Sequence, residues 1–380
     1  MTAYPRKGLV RTALVLATAS TLLTACAFGP PKDEEAGAPP KFPSPTAKPS
    51  ESSDTEVAAE PIVEGLQVPW GLDFLPDGTA LVTERDTRNI YKITKDYEKH
   101  KVQTIDEAYS EGEGGLMGLA VSPDYAKDKT IFIYYTTEQD NRIASLKLGE
   151  RPKPIVTGIP VSGTHNGGQL AFGPDGYLYA TTGDASSSGL AQDKKSLGGK
   201  ILRMTKTGKP APGNPFNSLV WSYGHRNPQG LAWDSGNQLY AVEFGQDTWD
   251  EINVVKPGGN YGWPKVEGIG HKSAYVDPIV VWRPKVASCS GEAILADLLV
   301  TACLRGKRLY VMQLNGRGGL IGAPQQALVG QYGRLRTVVV APDKTLWVTT
   351  SNLDGRGDPN PGDDKILRLV LSGGGASGKT

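Results

Sequence analysis

From about residue 63 onward, apolar residues come in short runs, each followed by a polar turn and a second apolar run. Gly71-Leu72-Asp73-Phe74 leads through Pro76-Asp77-Gly78 into Ala80-Leu81-Val82. The layout returns at Gly118–Asp124, Gln169–Gly176, Gly230–Asp234 and Thr337–Asp343, each time with a second apolar run behind it. Such short runs between turn residues read as strands, not as helices with a 3.6-residue period. Proline presets φ at the turn and glycine accepts positive φ, so Pro-Asp-Gly suits a tight link between two strands. A degenerate copy, Glu292–Leu299 with Val300–Ala302, lacks the Pro-Asp turn. The six starts lie about 45–60 residues apart, too long for a solenoid repeat and right for a four-stranded blade with loops. The expected fold is an all-β, six-bladed β-propeller. Two β-sandwiches would not need the same turn at such regular intervals.

Both ends of the chain depart from this pattern. Arg6, Lys7 and Arg11 precede an apolar stretch, Thr12 to Leu23, that is too short to span a bilayer and reads as a secretory signal. It ends in Leu23-Thr24-Ala25-Cys26, which resembles a bacterial lipobox; a plain signal peptide with an incidental cysteine is the alternative. Residues rich in Pro, Ser, Ala, Glu and Lys follow and read as a stalk that cannot bury enough to offset its ordering entropy. The expected division is a lipoprotein signal peptide at 1–25, a linker at 26–60, the propeller at 61–372 and a loose tail at 373–380. The protein is thus expected to be exported and lipid-anchored through Cys26 to the outer face of the bacterial membrane. Cys289 and Cys303 remain; an oxidising compartment and an even count favour a disulfide, with two buried thiols as the alternative. With 41 Lys and Arg against 40 Asp and Glu, nothing in the charge calls for a nucleic-acid partner.

Loops from every blade of a propeller converge at one mouth of its channel, so polar residues at the repeat entrances are the candidates for chemistry. His165 lies in Gly163-Thr164-His165-Asn166-Gly167-Gly168, where glycines let the backbone approach a ligand. An imidazole suits a general base near neutral pH, although a lone histidine is more often structural. Arg226 and Asn227, at the next entrance, offer a planar cationic fork and an amide suited to a flat carboxylate-bearing ligand; a turn arginine paired with a neighbouring blade is the alternative. The run Glu243–Asn253, followed by Gly258–Pro264, gathers hard oxygen donors of the kind Ca²⁺ prefers, without EF-hand spacing; a solvated acidic loop is the plainer reading. Arg334 and Arg336 have the i,i+2 spacing that puts both guanidiniums on one side of a strand, which is costly unless an anion sits between them. Arg305 offers a third cation, and a solvated edge strand is the plainer alternative for each of the three.

Together these motifs resemble the pyrroloquinoline quinone (PQQ)-dependent glucose/sorbosone and aldose sugar dehydrogenases. The resemblance spans about 63–370 and rests on Val68-Pro69-Trp70-Gly71, Gly112-Glu113-Gly114-Gly115-Leu116-Met117-Gly118, His165-Asn166-Gly167-Gly168, Gly224–Gly230, Asp250–Asn253 and Asn260–Pro264. It implies that His165 removes the proton of the anomeric hydroxyl while hydride passes from sugar C1 to PQQ, giving a lactone. It implies that Arg226 and Asn227 hold the cofactor, Arg226 also stabilising charge on the quinone oxygen. Arg334 and Arg336 would grip the carboxylates of this tricarboxylate, with Glu113 and Arg305 alongside. Ca²⁺ would be bound either by backbone carbonyls at Gly245 and Gln246 or at Glu251 and Tyr261.

The chain departs from its relatives in places. Glu113 stands where many carry glutamine and adds negative charge near an anionic cofactor. Arg305 replaces a frequent lysine. Thr164 replaces an acid of the glucose-oxidising members, which favours a broader aldose range. The expected partners are an aldose and an unidentified electron acceptor. A cofactor-free propeller lipoprotein that binds carbohydrate or protein, and a Ca²⁺-dependent lactonase, are the competing readings. A binding module has no need of a tricarboxylate cradle, and a lactonase would need acids in the channel rather than in one loop.

Overall fold

A computed structural model describes residues 56–372. The expected signal peptide, Cys26 and the tail at 373–380 lie outside the described residues. The described chain forms six four-stranded antiparallel sheets, one four-residue α-helix, Tyr125–Asp128, and three short 3₁₀ turns. The sheets are the blades of a six-bladed β-propeller. Their inner strands are Pro69–Phe74, Leu116–Val121, Leu170–Phe172, Asn227–Trp233, Cys289–Leu295 and Leu335–Val340, for blades 1 to 6 in turn. Each begins at or near one of the six repeat starts.

The repeated turn has one physical basis. In blade 1 the Asp77 carboxylate accepts the backbone N–H of Thr79 at 2.9 Å, while Leu75 and Thr79 close the hairpin at 2.8 Å. Asp175 accepts from Tyr177 and Asp343 from Thr345 in the same way, at 3.1 and 3.0 Å. Blade 5 reaches the same result differently. Ala296 and Asp297, at φ 49° and 61°, form a two-residue turn with both residues left-handed, which needs no Pro-Asp pair.

The last blade is closed by the first described strand. Glu56–Val63 pairs antiparallel with Ile366–Ser372, from Glu56 opposite Ser372 to Val63 opposite Ile366. The expected linker boundary at residue 60 therefore moves back: residues 56–60 belong to the propeller. Their weak apolar character fits an outermost strand with one half-buried face, where Val57 and Ala59 pack on the cluster between blades 5 and 6. Pro61 is tolerated because the strand is an edge. Glu56 and Ser372 both lie toward the end where the inner strand of blade 6 finishes, since Leu346 pairs with Val340 on one side and Leu369 on the other.

Six apolar clusters fill the six spaces between neighbouring blades. Burying one Leu, Ile or Val side chain fully is worth roughly 1.5–3 kcal/mol, so these interfaces hold the ring together. Close approach of the inner strands requires glycine in places: a Cβ on Gly71 would lie 2.7 Å from the Leu119 backbone nitrogen. Cys289 and Cys303 are register partners on the first two strands of blade 5 and form a disulfide.

The C-terminal ends of the inner strands surround a cavity of about 430 Å³ holding Asp73, Gln169 and Glu292. Asp73 accepts the backbone N–H groups of Phe74 and Val121, both at 2.7 Å, and so latches blade 1 to blade 2. Glu292 is buried, and neither carboxyl oxygen has a close hydrogen-bond partner among the described residues. Burial pushes its pKa from 4.5 up to about 8, with the nearby Val242 backbone, too poorly placed for a full hydrogen bond, acting in the opposite direction. Above pH 4.5 the unfolded chain ionises this group while the folded chain keeps it neutral, so stability falls until about pH 8. Glu292→Gln should remove that loss, on the order of a few kcal/mol. The melting-temperature gap between variant and wild type should widen from pH 5 to pH 8; a constant gap would show that Glu292 does not titrate this way.

Candidate active site

The N-terminal ends of the inner strands gather at the other mouth of the channel. There, residues from all six blades line a cavity with two lobes of about 430 and 190 Å³. Glu113, Phe244, Leu304 and Arg356 border both lobes.

His165 precedes the inner strand of blade 3 and faces the larger lobe. It adopts φ 58°, a left-handed conformation uncommon for a residue with a side chain. Two contacts hold it there: its backbone N–H donates to Glu113 Oε2 at 2.9 Å, and its ring Nδ1 lies 2.8 Å from Asp184 Oδ1. Gly183 passes so close to the His165 carbonyl that no Cβ fits between them. Asp184 also accepts the Trp263 indole N–H at 2.8 Å and the Ser186 backbone N–H at 2.9 Å. Burial would raise the Asp184 pKa, but hydrogen bonds from His165 and Trp263 outweigh it and keep the carboxyl below its ordinary value. An ionised carboxylate on Nδ1 fixes the tautomer with its proton there, leaving Nε2 free to accept one.

Arg226 and Asn227 enter blade 4 beside His165. Beneath them, the Glu243 carboxylate takes the Arg226 backbone N–H and binds His225 Nδ1 at 2.7 Å. His225 is fully buried, bonds Ser222 through Nε2 at 2.8 Å and stacks on Tyr261 at 4.5 Å, so it is a structural histidine. The Arg226 guanidinium gives two N–H groups to Gln246 Oε1, at 2.9 and 2.7 Å, and lies over the Trp263 ring. Asn227 Oδ1 accepts the Gly167 N–H at 2.9 Å, whereas its buried Nδ2 has no partner among the described residues. A buried amide nitrogen left bare beside a cavity is costly unless a ligand satisfies it.

Arg334 borders the larger lobe and Arg336 the smaller one, and both are buried. The expected anion between them is partly built in. Asp354 Oδ2 accepts from Arg334 at 2.8 and 3.0 Å and lies 3.5 Å from Arg336. Burial, with Arg85 next, pushes the Arg336 pKa down to about 10, which still leaves it charged. Arg305 is exposed at the rim of the larger lobe, on the segment that the disulfide ties to Ser288. Glu113 joins the wall as expected, and its charge is not left bare. Its other oxygen takes the Arg356 guanidinium at 2.7 Å, and the His165 and Arg356 hydrogen bonds overcome burial to hold its pKa below the usual range.

The two expected metal positions differ. Gly245 and Gln246 lie on the cavity wall, with the Gln246 side-chain oxygen already given to Arg226. Glu251 is buried away from it, bonded to Gly268 N–H at 2.6 Å and Asn253 Nδ2 at 3.0 Å, and burial beside Glu243 pushes its pKa up to about 8. The Tyr261 phenol donates to the Val254 carbonyl at 2.7 Å and accepts from Lys256 N–H at 2.8 Å. Among the described residues, no group of three or more His, Cys, Asp or Glu side chains is placed to hold a metal.

The sequence reading missed Asp184, Asp354, Arg356 and Arg85. Asp184 had a signal in the repeat itself. The second strands of blades 1, 3 and 4 end at or near an acid, namely Glu84, Asp184 and Glu243, and each acid supports the entrance beside it. Across both lobes, Arg85, Arg226, Arg305, Arg334, Arg336 and Arg356 face three acids, Glu113, Asp250 and Asp354, while Asp86 outside the lining binds Arg85 at 2.6 Å, so guanidiniums still outnumber these carboxylates.

The mouth thus sets a carboxylate-held imidazole beside a cluster of guanidiniums. The glucose/sorbosone dehydrogenase family model matches residues 66–368. A solved structure of the PQQ-bound form of the aldose sugar dehydrogenase from Streptomyces coelicolor is 47% identical, covering 88% of this chain and 100% of that one, with a TM-score of 0.82. A putative oxidoreductase (glucose dehydrogenase) from Thermus thermophilus is 43% identical over 83% of this chain and 100% of its own, with a TM-score of 0.78. The aldose sugar dehydrogenase YliI of Escherichia coli is 28% identical over 79% of this chain and 91% of its own. The chain belongs to the glucose/sorbosone dehydrogenase family and is an oxidoreductase that acts on sugars.

Asp354→Asn should leave two buried guanidiniums without their counter-ion, a change that costs about 3–5 kcal/mol when a buried pair is broken. A marked drop in the melting temperature of the ligand-free protein is expected; an unchanged value would mean that other groups compensate Arg334 and Arg336.

Proposed function

We propose that the protein is a PQQ-dependent aldose dehydrogenase that oxidises the sugar at C1 to a lactone. The observation that carries this reading is the surplus of guanidiniums over carboxylates in the cavity lining, together with the Asn227 Nδ2 at its wall that has no partner among the described residues. PQQ is a flat tricarboxylate with carbonyl acceptors, which matches both features. When bound, it supplies the quinone that receives the hydride.

The remaining work falls to the chain's own residues. His165 Nε2 takes the proton of the anomeric hydroxyl. Asp184 on Nδ1 orients the ring and stabilises the imidazolium that forms. Arg226, aimed by Gln246 and Glu243, places positive charge where negative charge develops. Arg334 and Arg336, with Arg305 at the rim, hold carboxylates, and Glu113 fixes the backbone of the base.

Ca²⁺ is proposed at the Glu251 position, where a buried carboxylate that would have to give up its bonds to Gly268 and Asn253 lies beside Asn253 Oδ1, which has no partner among the described residues. These are two hard oxygen donors of the kind Ca²⁺ takes. Gly245 and Gln246 offer only backbone carbonyls, and the Tyr261 phenol is committed to Val254 and Lys256. Export and anchoring through Cys26 remain part of the proposal.

Reconstitution with PQQ and Ca²⁺, followed by dye reduction with a panel of aldoses, tests the reading; no spectral change on PQQ addition and no dye reduction would overturn it. His165→Ala should keep PQQ affinity and slow turnover by about 10²–10⁴-fold, the scale of a lost general base. Undiminished turnover would remove His165 from the mechanism. Added Ca²⁺ should raise the melting temperature of the wild type but not of Glu251→Gln; an equal rise in both would place the ion elsewhere.

A further inference from the structure

We propose that Arg356 is a positioning residue of this site, acting through Glu113 on both the base and the cofactor cradle. The proposal rests on the PQQ reading above. Arg356 lies on the connection between Leu346–Thr350 and Ile366–Ser372 in blade 6. It reaches across the mouth to Glu113, 243 positions away in sequence and on the approach to blade 2, at 2.7 Å. The other oxygen of Glu113 holds the His165 backbone N–H, on the approach to blade 3, at 2.9 Å. A cation from the last blade thus fixes a carboxylate that fixes the base.

The arrangement also answers the charge problem that Glu113 raises. A carboxylate in the wall of a site for a polyanion repels the ligand unless a cation is bound to it. Arg356 is that cation, and it borders both lobes of the cavity. Its guanidinium makes no other hydrogen bond among the described residues. The Glu113 side chain is 18% exposed against 58% for Arg356, so the carboxylate is the enclosed partner and the arginine closes over it from the rim. An ordinary rim ion pair contributes little to stability and has no reason to influence a ligand. A neutralising pair does, and the share of its influence that runs through Glu113 vanishes once the carboxylate loses its charge, leaving only the direct attraction of Arg356 for the anion.

The test is PQQ affinity of the ligand-free full chain, read by quenching of tryptophan fluorescence, for wild type, Arg356→Ala, Arg356→Lys, Glu113→Gln and the double variant Glu113→Gln/Arg356→Ala. Thermal melts of the ligand-free forms confirm folding. Arg356→Ala should weaken PQQ binding about 10-fold, and the same change on the Glu113→Gln background by a clearly smaller factor, about 3-fold or less, a coupling that a double-mutant cycle isolates. Arg356→Lys should restore most of the affinity. Equal losses on both backgrounds, or no loss at all, would overturn the proposal while leaving the PQQ reading intact. A wild type that takes up no PQQ would overturn both.

Discussion

The pairing of Glu56–Val63 with Ile366–Ser372 is the contact on which the geometry of the mouth depends. Cavity residues come from all six blades, so their mutual distances exist only while the ring is closed. Asp364 reinforces the seam. Its carboxylate takes the Val68 N–H at 3.1 Å and the Thr350 hydroxyl at 3.0 Å, while its backbone exchanges hydrogen bonds with Leu66. Blade 6 and the entrance to blade 1 are thereby joined through polar groups that water does not reach. The Arg356–Glu113 contact starts from the same blade 6 and reaches past blade 1 to the approach of blade 2, tying a second neighbour to the closing blade.

Electrostatic balance is the second constraint. Guanidiniums packed into a buried mouth repel one another, and the protein tempers this with acids placed one by one rather than with bulk solvent. Asp354 lies between Arg334 and Arg336, Glu113 receives Arg356, and Glu243 takes the Arg226 backbone. The surplus that remains is the part a polyanion can use. Directional bonds from Gln246 and Glu243 hold Arg226 in place beforehand, so little reorganisation remains for the moment of reaction.

The architecture was readable because it repeats. Six copies of one apolar pattern marked six inner strands, and Asp77, Asp175 and Asp343 explain why the turn recurs. The edge strand at Glu56 was hidden because half of it faces water and it contains Pro61. His165, Arg226, Asn227 and Arg334 stand at blade entrances, where glycines and unusual polar residues announce themselves. Their partners were harder to see. Asp184 lies 19 residues from His165, and Arg356 lies 243 from Glu113. Pairings across such separations are set by the ring and not by local spacing. The Arg334/Arg336 charge problem was posed correctly but answered only in part, because Asp354 sits on a loop whose sequence gives no hint of where it folds.

Glu56 and Ser372 stand at the back of the ring, where the inner strands finish, while the arginine-lined opening faces the other way. Any tether joined ahead of residue 56 therefore pulls on the rear of the toroid. The attachment point would then lie on the face away from the opening, so a tether there would leave the pocket entrance uncovered.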